Sequence, residues 1–500
     1  MTLRGSVMVC GTASDVGKSR IVAGLCRVLN RQGVDVAPFK AQNMALNSCV
    51  TTSGHEIARS QAHQAAAARI APVVEMNPIL LKPSGDLRSQ LVVMGRPAGE
   101  VVAGDYLQRR QGLESIALQA LEALRARHDV VIAEGAGGAA EINLLDGDLV
   151  NLPLARRAGL PAILVGDIER GGVFAALYGT VALLPDELRA PLRGFIINKL
   201  RGDAHVLESG VRELERRCTL PCLGVLPHLG ELLIDAEDSL ALEHRPLSGD
   251  SFRKGDILDI AVIRLPHLAN FTDFDPLALE PGVALRYVTS AGLLGSPDLV
   301  ILPGSKATVA DLAWLRLAGF EQAISHALGA GSSLLGICAG YQMLGTRIVD
   351  QVESRSGEVA GLGLLEATTE FSLDKCTRQR YGADPSGTRV CGYEIHHGQV
   401  KLGGGASWFR LERDEEQEEE GARDETRGIF ATSLHGIFEV DAFRGAFLVD
   451  VARRAGKRFV GDALPFDARR QAEIDRVADA LEAHLDLDRI LEIVAEGAPR

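Results

Sequence analysis

The chain has 500 residues, of which 46% are hydrophobic and 24% are charged. This composition is typical of a globular protein, and the length is sufficient for two or three domains. The net charge of -13 argues against nucleic-acid binding, which needs a basic surface to neutralise phosphates. No apolar run is long enough for a transmembrane helix, and the scattered cysteines favour a reducing compartment. We therefore expect a cytoplasmic protein that acts on small molecules and binds neither membranes nor nucleic acid.

The first half of the chain alternates strand-like and helical patterns. The apolar runs that predict strands are 6–11, 34–40, 129–135, 161–167, 192–199 and 221–227. Helical patterns lie between most of them, and the one from Ser19 to Gly33 ends on a glycine typical of a helix C-terminus. Such alternation predicts a mostly parallel sheet covered by helices. We assign this domain to residues 1–241.

The second half predicts another α/β domain. Residues 242–256 are polar and predict a linker, and a new alternating series follows at 257–450. Within it, the acidic block at 413–426 predicts a solvated loop. Residues 451–500 have an amphipathic helical pattern and predict a helical C-terminal tail.

The stretch GTASDVGKS, at 11–19, predicts a phosphate-binding loop, because it follows an apolar strand and opens a helix. Unpaired backbone N–H groups at a helix start bind phosphate oxygens, and glycines let the backbone approach them closely. Five residues separate the two glycines, one more than in the common form of this loop. The residues that we expect to bind the nucleotide are Gly11, Thr12, Gly17, Lys18 and Ser19. Of these, Lys18 is expected to neutralise the outer phosphates and Ser19 to ligate Mg²⁺.

The longer spacing resembles the loop of dethiobiotin synthetase and its relatives, which use ATP to activate carboxylates. In that group a lysine ends the second strand, an acidic residue ending a later strand binds magnesium, and an asparagine contacts the nucleotide base. The resemblance implies these roles for Lys40 in APFK, Glu134 in AEGAGG and Asn198 in FIINK. Asp167 in VGDIERGG also ends a strand, where open parallel sheets bind ligands. For Asp167 a role in orienting magnesium or substrate and a role as a helix cap or turn residue both stay open.

A second constellation surrounds Cys338 in LLGICAGYQMLG. Flanking glycines after an apolar strand predict a sharp strand–turn–helix elbow, which exposes a nucleophile at a helix start. The general base must come from elsewhere in the chain, and His435 in SLHGIFE is the best candidate. The backbone N–H groups that we expect to form an oxyanion hole belong to Ala339, Gly304 and Ser305.

This half resembles class I glutamine amidotransferase domains, in which the cysteine forms a glutamyl thioester and releases ammonia. Many members orient the histidine with a glutamate two residues downstream. Here position 437 is isoleucine, and Glu439 is four residues from His435. The third member of the triad is therefore left open, and a Cys–His dyad is one possibility. A polar group in GYEIHHG either lines the glutamine site or forms a structural turn; its members are Glu394, His396 and His397.

A nucleotide domain followed by an amidotransferase domain is the order found in the cobyrinate amidases. The stretches that resemble this family are PFKAQNMALNS (38–48), MNPILLKP (76–83), VVIAEGAGGAAEINL (130–144), VGDIERGGVFA (165–175), GFIINKLRGD (194–203), NFTDFDPL (270–277), LPGSKATVADLAWL (302–315) and GICAGYQMLG (336–345). The resemblance implies ATP-dependent amidation of the b, d, e and g carboxylates of adenosylated cobyrinic acid a,c-diamide, with glutamine as nitrogen donor. Weaker predictions for residues that contact this substrate are Asn43, Asn47, Lys82 and Arg88.

Two alternatives stay open at this point. The cobyrinic acid a,c-diamide synthases share this architecture, although PFKAQNMALNS and NFTDFDPL favour the later amidations. A regulatory ATPase with a redundant cysteine domain shares the phosphate-loop fold, and its activity would not depend on glutamine.

Overall fold

The computed structural model describes residues 3–85, 87–230, 257–413, 416–461 and 464–497. The predicted linker at 242–256 lies outside these described residues. The chain forms two compact units, each of α/β type. The first contains the described residues of Met1–Ala45, Ile57–Leu232 and Arg470–Arg500, and the second those of Leu46–Glu56 and Leu233–Arg469. Both units are therefore assembled from stretches that are far apart in the sequence.

A six-stranded parallel sheet forms the centre of the first unit. In spatial order its strands are Cys222–Pro227, Leu192–Leu200, Ala162–Asp167, Gly5–Gly11, Val130–Glu134 and Val36–Phe39. All of them fall on runs predicted to be strands, which are continuously apolar because helices cover both faces of a parallel sheet. Gly5–Gly11 lies between Ala162–Asp167 and Val130–Glu134, so the carboxyl ends of these three strands meet at one edge.

Helices and a smaller mixed sheet complete the first unit. The helices of the first half are Lys18–Arg31, Arg59–Ala67, Ala103–Arg127, Leu152–Ala158, Val173–Leu183, Asp186–Arg189 and Glu208–Cys218, with single 3₁₀ turns at Val74–Met76 and Ala204–Leu207. The strands of the smaller sheet are Gln42–Met44, Ile79–Gly85, Arg88–Val93 and Arg96–Val102. No helix among the described residues is long and apolar enough to cross a membrane.

The C-terminal helices Phe466–His484 and Leu487–Glu496 return to the first unit from Arg470 onward. Their apolar side chains join the core formed by the sheet and by helix Lys18–Arg31. The buried guanidinium of Arg27 donates to the carbonyl oxygen of Ala67 at 2.9 Å and pairs with Asp475 at 3.1 Å. The part of the predicted tail from Arg470 onward thus belongs to the first unit, whereas the described residues of 451–469 belong to the second.

The second unit has its own central sheet. Its strands, in spatial order, are Val283–Val288, Leu258–Ile263, Leu299–Leu302, Ser333–Ile337, Ile429–Thr432 and Ala422–Asp424, all parallel except the last. A second sheet is formed by Gly357–Ala360, Arg347–Asp350, Ala367–Ala383, Phe409–Arg413 and Glu416–Glu420, with Arg389–Leu402 paired to Ala367–Ala383. The helices are Asp275–Ala278, Thr308–Leu317, Phe320–Gly329, Ala339–Leu344 and Asp441–Arg454, with 3₁₀ turns at Phe271–Phe274, Ala291–Leu293 and Ile437–Glu439. Ser48–Val50 and Glu56–Ala58 form a two-stranded sheet, and the boundary between the two units falls after Glu56, within the second of these strands.

The prediction that the acidic block at 413–426 is a solvated loop was wrong, because it contains the strands Glu416–Glu420 and Ala422–Asp424. Backbone pairing with Phe409–Arg413 stabilises the first of these strands. Glu420, at its end, accepts hydrogen bonds at 2.7 Å from the Ser433 N–H and from the Thr432 hydroxyl. Burial raises the pKa of Glu420 to about 7. Glu420 therefore has a structural role, because its hydrogen bonds hold Thr432 and Ser433, which precede His435 in the chain.

Candidate functional site

The loop at 11–19 joins a central strand of the first sheet to helix Lys18–Arg31, as the sequence predicts. Gly17 precedes the helix with a φ of 97°, and a Cβ atom there would lie 2.2 Å from the Asn198 side-chain nitrogen. Only glycine satisfies both conditions. The Asn198 amide donates to the Val16 carbonyl oxygen at 2.9 Å. Asn198 therefore supports the loop directly, while its predicted contact with a nucleotide base stays a prediction.

Lys18 is buried and lies against the backbone of the loop. Its Nζ donates to the carbonyl oxygens of Ala13 and Gly137, at 2.9 Å in both cases. The N–H of Thr12 donates to the Val165 carbonyl oxygen at 2.9 Å, which ties the loop to the neighbouring strand. The lysine ammonium is thus held at the loop, where a bound phosphate would replace the carbonyl oxygens as its partner.

Glu134 is the centre of a buried polar cluster at the end of its strand. Its Oε1 accepts hydrogen bonds from the Ser19 hydroxyl and from Lys40 Nζ, each at 2.8 Å, and its Oε2 accepts one from the Gln64 amide. The side chains of Lys40 and Glu134 are only 5% and 1% exposed. A buried ion pair needs such additional bonds, because desolvation otherwise offsets its attraction. Hydroxyl and carboxylate oxygens are the ligands that Mg²⁺ takes, so Ser19 and Glu134 fit this ion.

Asp167 has a different set of partners. Its Oδ2 pairs with Lys199 Nζ at 2.9 Å, and its Oδ1 accepts the N–H of Glu169 at 2.8 Å. The bond to Glu169 is the turn-capping role that the sequence left open. The role of Asp167 in binding magnesium stays a prediction.

Cys338 occupies a strained elbow in the second unit. It follows strand Ser333–Ile337 and precedes a short helix, with φ 52° and ψ -107°. A positive φ is rare for a residue with a Cβ atom and is typical of a nucleophile elbow. A Cβ on Gly340 would lie 1.8 Å from the Leu302 carbonyl oxygen, so only glycine fits the close approach. The Cys338 N–H donates to the Thr432 carbonyl oxygen at 2.7 Å, which fixes the elbow beside the neighbouring strand.

His435 has Cys338 and Asp273 as neighbours. Cys338 lies close enough to the His435 ring to raise the pKa of that histidine. On the other side of the ring, Nδ1 is 2.6 Å from Asp273 Oδ2, and Asp273 Oδ1 accepts the N–H of Gly436 at 2.9 Å. The histidine and aspartate side chains are 2% and 4% exposed. A nucleophile, a base and an acid that orients the base are the elements of a catalytic triad, and Asp273 occupies the position of the third member that the sequence left open.

The charge state of His435 follows from these neighbours. Burial lowers the pKa of His435, but the Asp273 carboxylate and Cys338 outweigh it and raise that pKa to about 10. The imidazolium form of His435 is therefore favoured at neutral pH. The site is arranged for attack by the Cys338 sulfur.

We predict that Asp273→Asn moves the pH dependence of glutamine hydrolysis. The amide removes the negative charge, so the pKa of His435 falls toward 6.5 and the imidazolium is lost at a lower pH. The basic limb of kcat/KM then shifts to lower pH, and kcat falls by about 10²- to 10⁴-fold. Glu439→Gln is the matched control, since Glu439 is the acid nearest downstream. An unmoved limb in Asp273→Asn, or an equal shift in the control, would contradict the triad.

The predicted oxyanion-hole residues surround the elbow. A Cβ on Gly304 would lie 3.0 Å from His435 Cε1, which places the glycine backbone against the ring. The Ser305 hydroxyl donates to Asp311 Oδ2 at 2.6 Å, and Ala339 begins the helix directly after the cysteine. These positions are compatible with an oxyanion hole, and the role of each N–H group stays a prediction.

The polar group of Glu394, His396 and His397 lies on strand Arg389–Leu402, so the alternative of a structural turn was wrong. Burial raises the pKa of Glu394, but the neighbouring His396 and Arg378 side chains lower it to about 2. Arg378 Nε donates to Glu394 Oε2 at 2.6 Å. Glu394 is thus a buried, ionised carboxylate held by the Arg378 guanidinium.

The predicted corrinoid contacts occupy different environments. The Asn43 amide donates to Gln61 Oε1 at 2.9 Å. Lys82 is buried on the smaller sheet of the first unit and Arg88 is exposed. Asn47 belongs to the second unit. Contact with a substrate stays a prediction for all of them.

Comparison with known protein families identifies both halves of the chain. The model of the CobQ/CobB/MinD/ParA nucleotide binding domain matches residues 7–239, and that of the CobB/CobQ-like glutamine amidotransferase domain matches residues 259–443. Cobyric acid synthases from Nocardia farcinica and Mycolicibacterium paratuberculosis are 48% and 49% identical, over 99% and 100% of this chain and 98% of each relative. The one from Rhodococcus jostii is 48% identical over 99% of this chain and 96% of the relative.

The chain belongs to the cobyric acid synthase family. It is accordingly an enzyme that forms amides with glutamine, and it combines a nucleotide-binding domain with an amidotransferase domain. The recognition of the family from the sequence motifs is confirmed.

Two residues of these sites were missed from the sequence. Asp273 stands in NFTDFDPL, where an acid between phenylalanines was a usable signal of a buried functional carboxylate. Gln64 stands in an alanine-rich helix with no motif around it, and only the fold brings it to Glu134.

Proposed function

We propose that this enzyme amidates the b, d, e and g carboxylates of adenosylcobyrinic acid a,c-diamide, with ATP and with ammonia from glutamine, to give adenosylcobyric acid. The observation that carries the proposal is the presence on one chain of a Cys338–His435–Asp273 triad and of a phosphate loop beside Glu134. A glutaminase supplies ammonia, and a nucleotide site activates a carboxylate. Neither site alone would explain amide formation.

At the triad, the Cys338 thiolate attacks the amide carbon of glutamine. The C–N bond breaks as His435 donates its proton to the leaving nitrogen, which gives ammonia and a glutamyl thioester. Neutral His435 then takes a proton from water, the hydroxide attacks the thioester carbon, and glutamate leaves as the thiolate is restored. Asp273 keeps the ring oriented and stabilises its charge throughout.

At the phosphate loop, a corrinoid carboxylate oxygen attacks the γ-phosphorus of ATP, ADP leaves and an acyl phosphate forms. Ammonia attacks the carbonyl carbon of the acyl phosphate, phosphate leaves and the amide remains. The lysines held at this site, Lys18 and Lys40, would neutralise the phosphate oxygens. Ser19 and Glu134 would hold Mg²⁺, which supplies further positive charge to the phosphates.

The test is a comparison of two corrinoid substrates. The enzyme is incubated with glutamine, ATP and Mg²⁺, and with either cobyrinic acid or adenosylated a,c-diamide, and mass spectrometry counts the amides formed. We expect full amidation of the b, d, e and g positions of the diamide and no a,c-diamide from cobyrinic acid. If product forms from cobyrinic acid and not from the diamide, the proposal is contradicted and the enzyme is an a,c-diamide synthase.

A further inference from the structure

Residues 46–56, which we call the crossing segment, interrupt the first unit and belong to the second. The chain leaves the first unit after Ala45 and re-enters it at Ile57. Both flanks of the crossing segment lead to the nucleotide site, because Lys40 precedes it, Gln64 follows it, and both donate to Glu134. A short stretch of the N-terminal half is therefore built into the amidotransferase unit.

The crossing segment holds the turn that carries Asp273. The Asn47 side-chain oxygen accepts the N–H of Phe271 at 3.1 Å, and the N–H of Ser48 donates to the Asn270 side-chain oxygen at 2.9 Å. Asn270 has a φ of 53° and starts the 3₁₀ turn Phe271–Phe274. A single 3₁₀ turn has little stability of its own. The position of Asp273 therefore depends on bonds from outside the turn, and the crossing segment supplies two of them.

The same segment also contacts the residue that covers His435. The Tyr393 hydroxyl donates to the Ser48 carbonyl oxygen at 3.0 Å. The Tyr393 ring stacks on His435 with centroids 5.5 Å apart and planes 26° apart. Their backbones exchange two hydrogen bonds, at 3.0 and 2.9 Å. The crossing segment thus forms hydrogen bonds with the turn that carries Asp273 and with the tyrosine that stacks on His435.

The crossing segment is itself firmly anchored in the second unit. Glu56 pairs with Lys375 at 2.6 Å, and these side chains are 0% and 6% exposed. The other carboxylate oxygen of Glu56 accepts the Ser48 hydroxyl at 2.8 Å, and the Gln379 amide donates to the Val50 carbonyl oxygen. These contacts are buried and include several hydrogen bonds, so they hold the crossing segment in one position. The crossing segment can therefore hold the Asp273 turn in place.

We infer that Asn47 is a positioning residue of the glutaminase site, which acts on His435 through Phe271 and Asp273. This inference rests on the proposed glutaminase reaction. It assigns to the N-terminal half a residue needed for glutamine hydrolysis, and the role assigned to Asn47 requires no contact with the corrinoid.

The test is Asn47→Ala in the full chain, with glutaminase activity and ATP-dependent amidation from ammonium salts measured separately. Asn47→Ala removes the acceptor for the Phe271 N–H, and the Asp273 turn is expected to shift. A misplacement of about 1 Å lowers the rate of a catalysed reaction by roughly tenfold to a hundredfold. We expect kcat for glutamine to fall by that factor with KM nearly unchanged, the basic limb to shift to lower pH, and ammonium-driven synthesis to be retained. Thr52→Ala, an exposed change in the same segment, should leave all three readouts unchanged.

A double variant separates positioning from general damage. If Asn47 acts through Asp273, then Asn47→Ala should cost little more in an Asp273→Asn background, whereas independent effects would multiply. Multiplying losses, an unchanged glutaminase, or a parallel loss of ammonium-driven synthesis would each overturn the inference. Should Asn47→Ala fail to fold, Tyr393→Phe removes only the hydroxyl bonded to Ser48 and should also lower kcat selectively. An inactive wild-type glutaminase would instead refute the proposed function.

Discussion

Cys338→Ala is expected to abolish synthesis from glutamine and to leave synthesis from ammonium salts intact. In the proposed reaction the sulfur at the strained elbow forms the thioester, and removal of a triad nucleophile typically costs about 10⁴-fold or more in rate. Ammonia added to the solution bypasses that step, because the acyl phosphate forms at the phosphate loop. The measurement is the rate of corrinoid amidation with each nitrogen source at saturating ATP.

Cys391→Ala is the matched control for this variant, since Cys391 is a half-buried thiol of the same unit. It should retain both activities. Glutamine-dependent amidation by Cys338→Ala at the normal rate would remove the glutaminase assignment. Loss of ammonium-driven synthesis as well would mean that Cys338 has a role beyond ammonia production.

Lys18→Ala is expected to abolish amidation from both nitrogen sources. The buried Lys18 ammonium is held at the loop by the carbonyl oxygens of Ala13 and Gly137, so it is placed to stabilise charge on the transferring phosphate. Removal of such a charge costs roughly 10³-fold in rate. Glutamine hydrolysis, measured alone as glutamate release, should continue because the triad is intact.

Arg212→Ala serves as the control, because it removes an exposed positive charge from the first unit. Its synthesis rates should match those of the unmodified enzyme. Full-rate amidation by Lys18→Ala would exclude the nucleotide role of the loop at 11–19. Together, the cysteine and lysine variants should divide the reaction into its two halves.

Much of the fold could be predicted from the sequence, because its signals are local. The strands of the first sheet are continuously apolar, and the Gly-rich turn at 11–19 stands between a strand and a helix. The elbow at Cys338 was likewise evident, since glycines flank a cysteine after an apolar strand. Each of these features needs only neighbouring residues to be recognised.

The features that could not be predicted depend on long-range pairing. Asp273 and His435 are far apart in the sequence, and their contact depends on the turn at Phe271–Phe274 and on the crossing segment. The same applies to Gln64, which reaches Glu134 only when its helix packs beside the sheet. The C-terminal helices have an ordinary amphipathic pattern, which does not specify the partner that covers their apolar faces.

The acidic block was misassigned for a different reason. Its charge favours solvent exposure of individual side chains, and Glu416 and Glu419 are indeed exposed. Exposure of side chains does not prevent backbone pairing, and Glu416–Glu420 pairs with Phe409–Arg413 at a sheet edge. Charge alone therefore predicted the surroundings of the side chains and not the conformation of the backbone.

The most direct test of the central claim uses glutamine labelled with ¹⁵N in its amide group. The enzyme is incubated with this glutamine, ATP and adenosylated a,c-diamide, and the corrinoid mass and the ADP formed are measured together. The account predicts that every new amide carries ¹⁵N and that one ADP appears for each amide. ATP hydrolysis without labelled amide in the corrinoid would contradict it and would favour a regulatory ATPase.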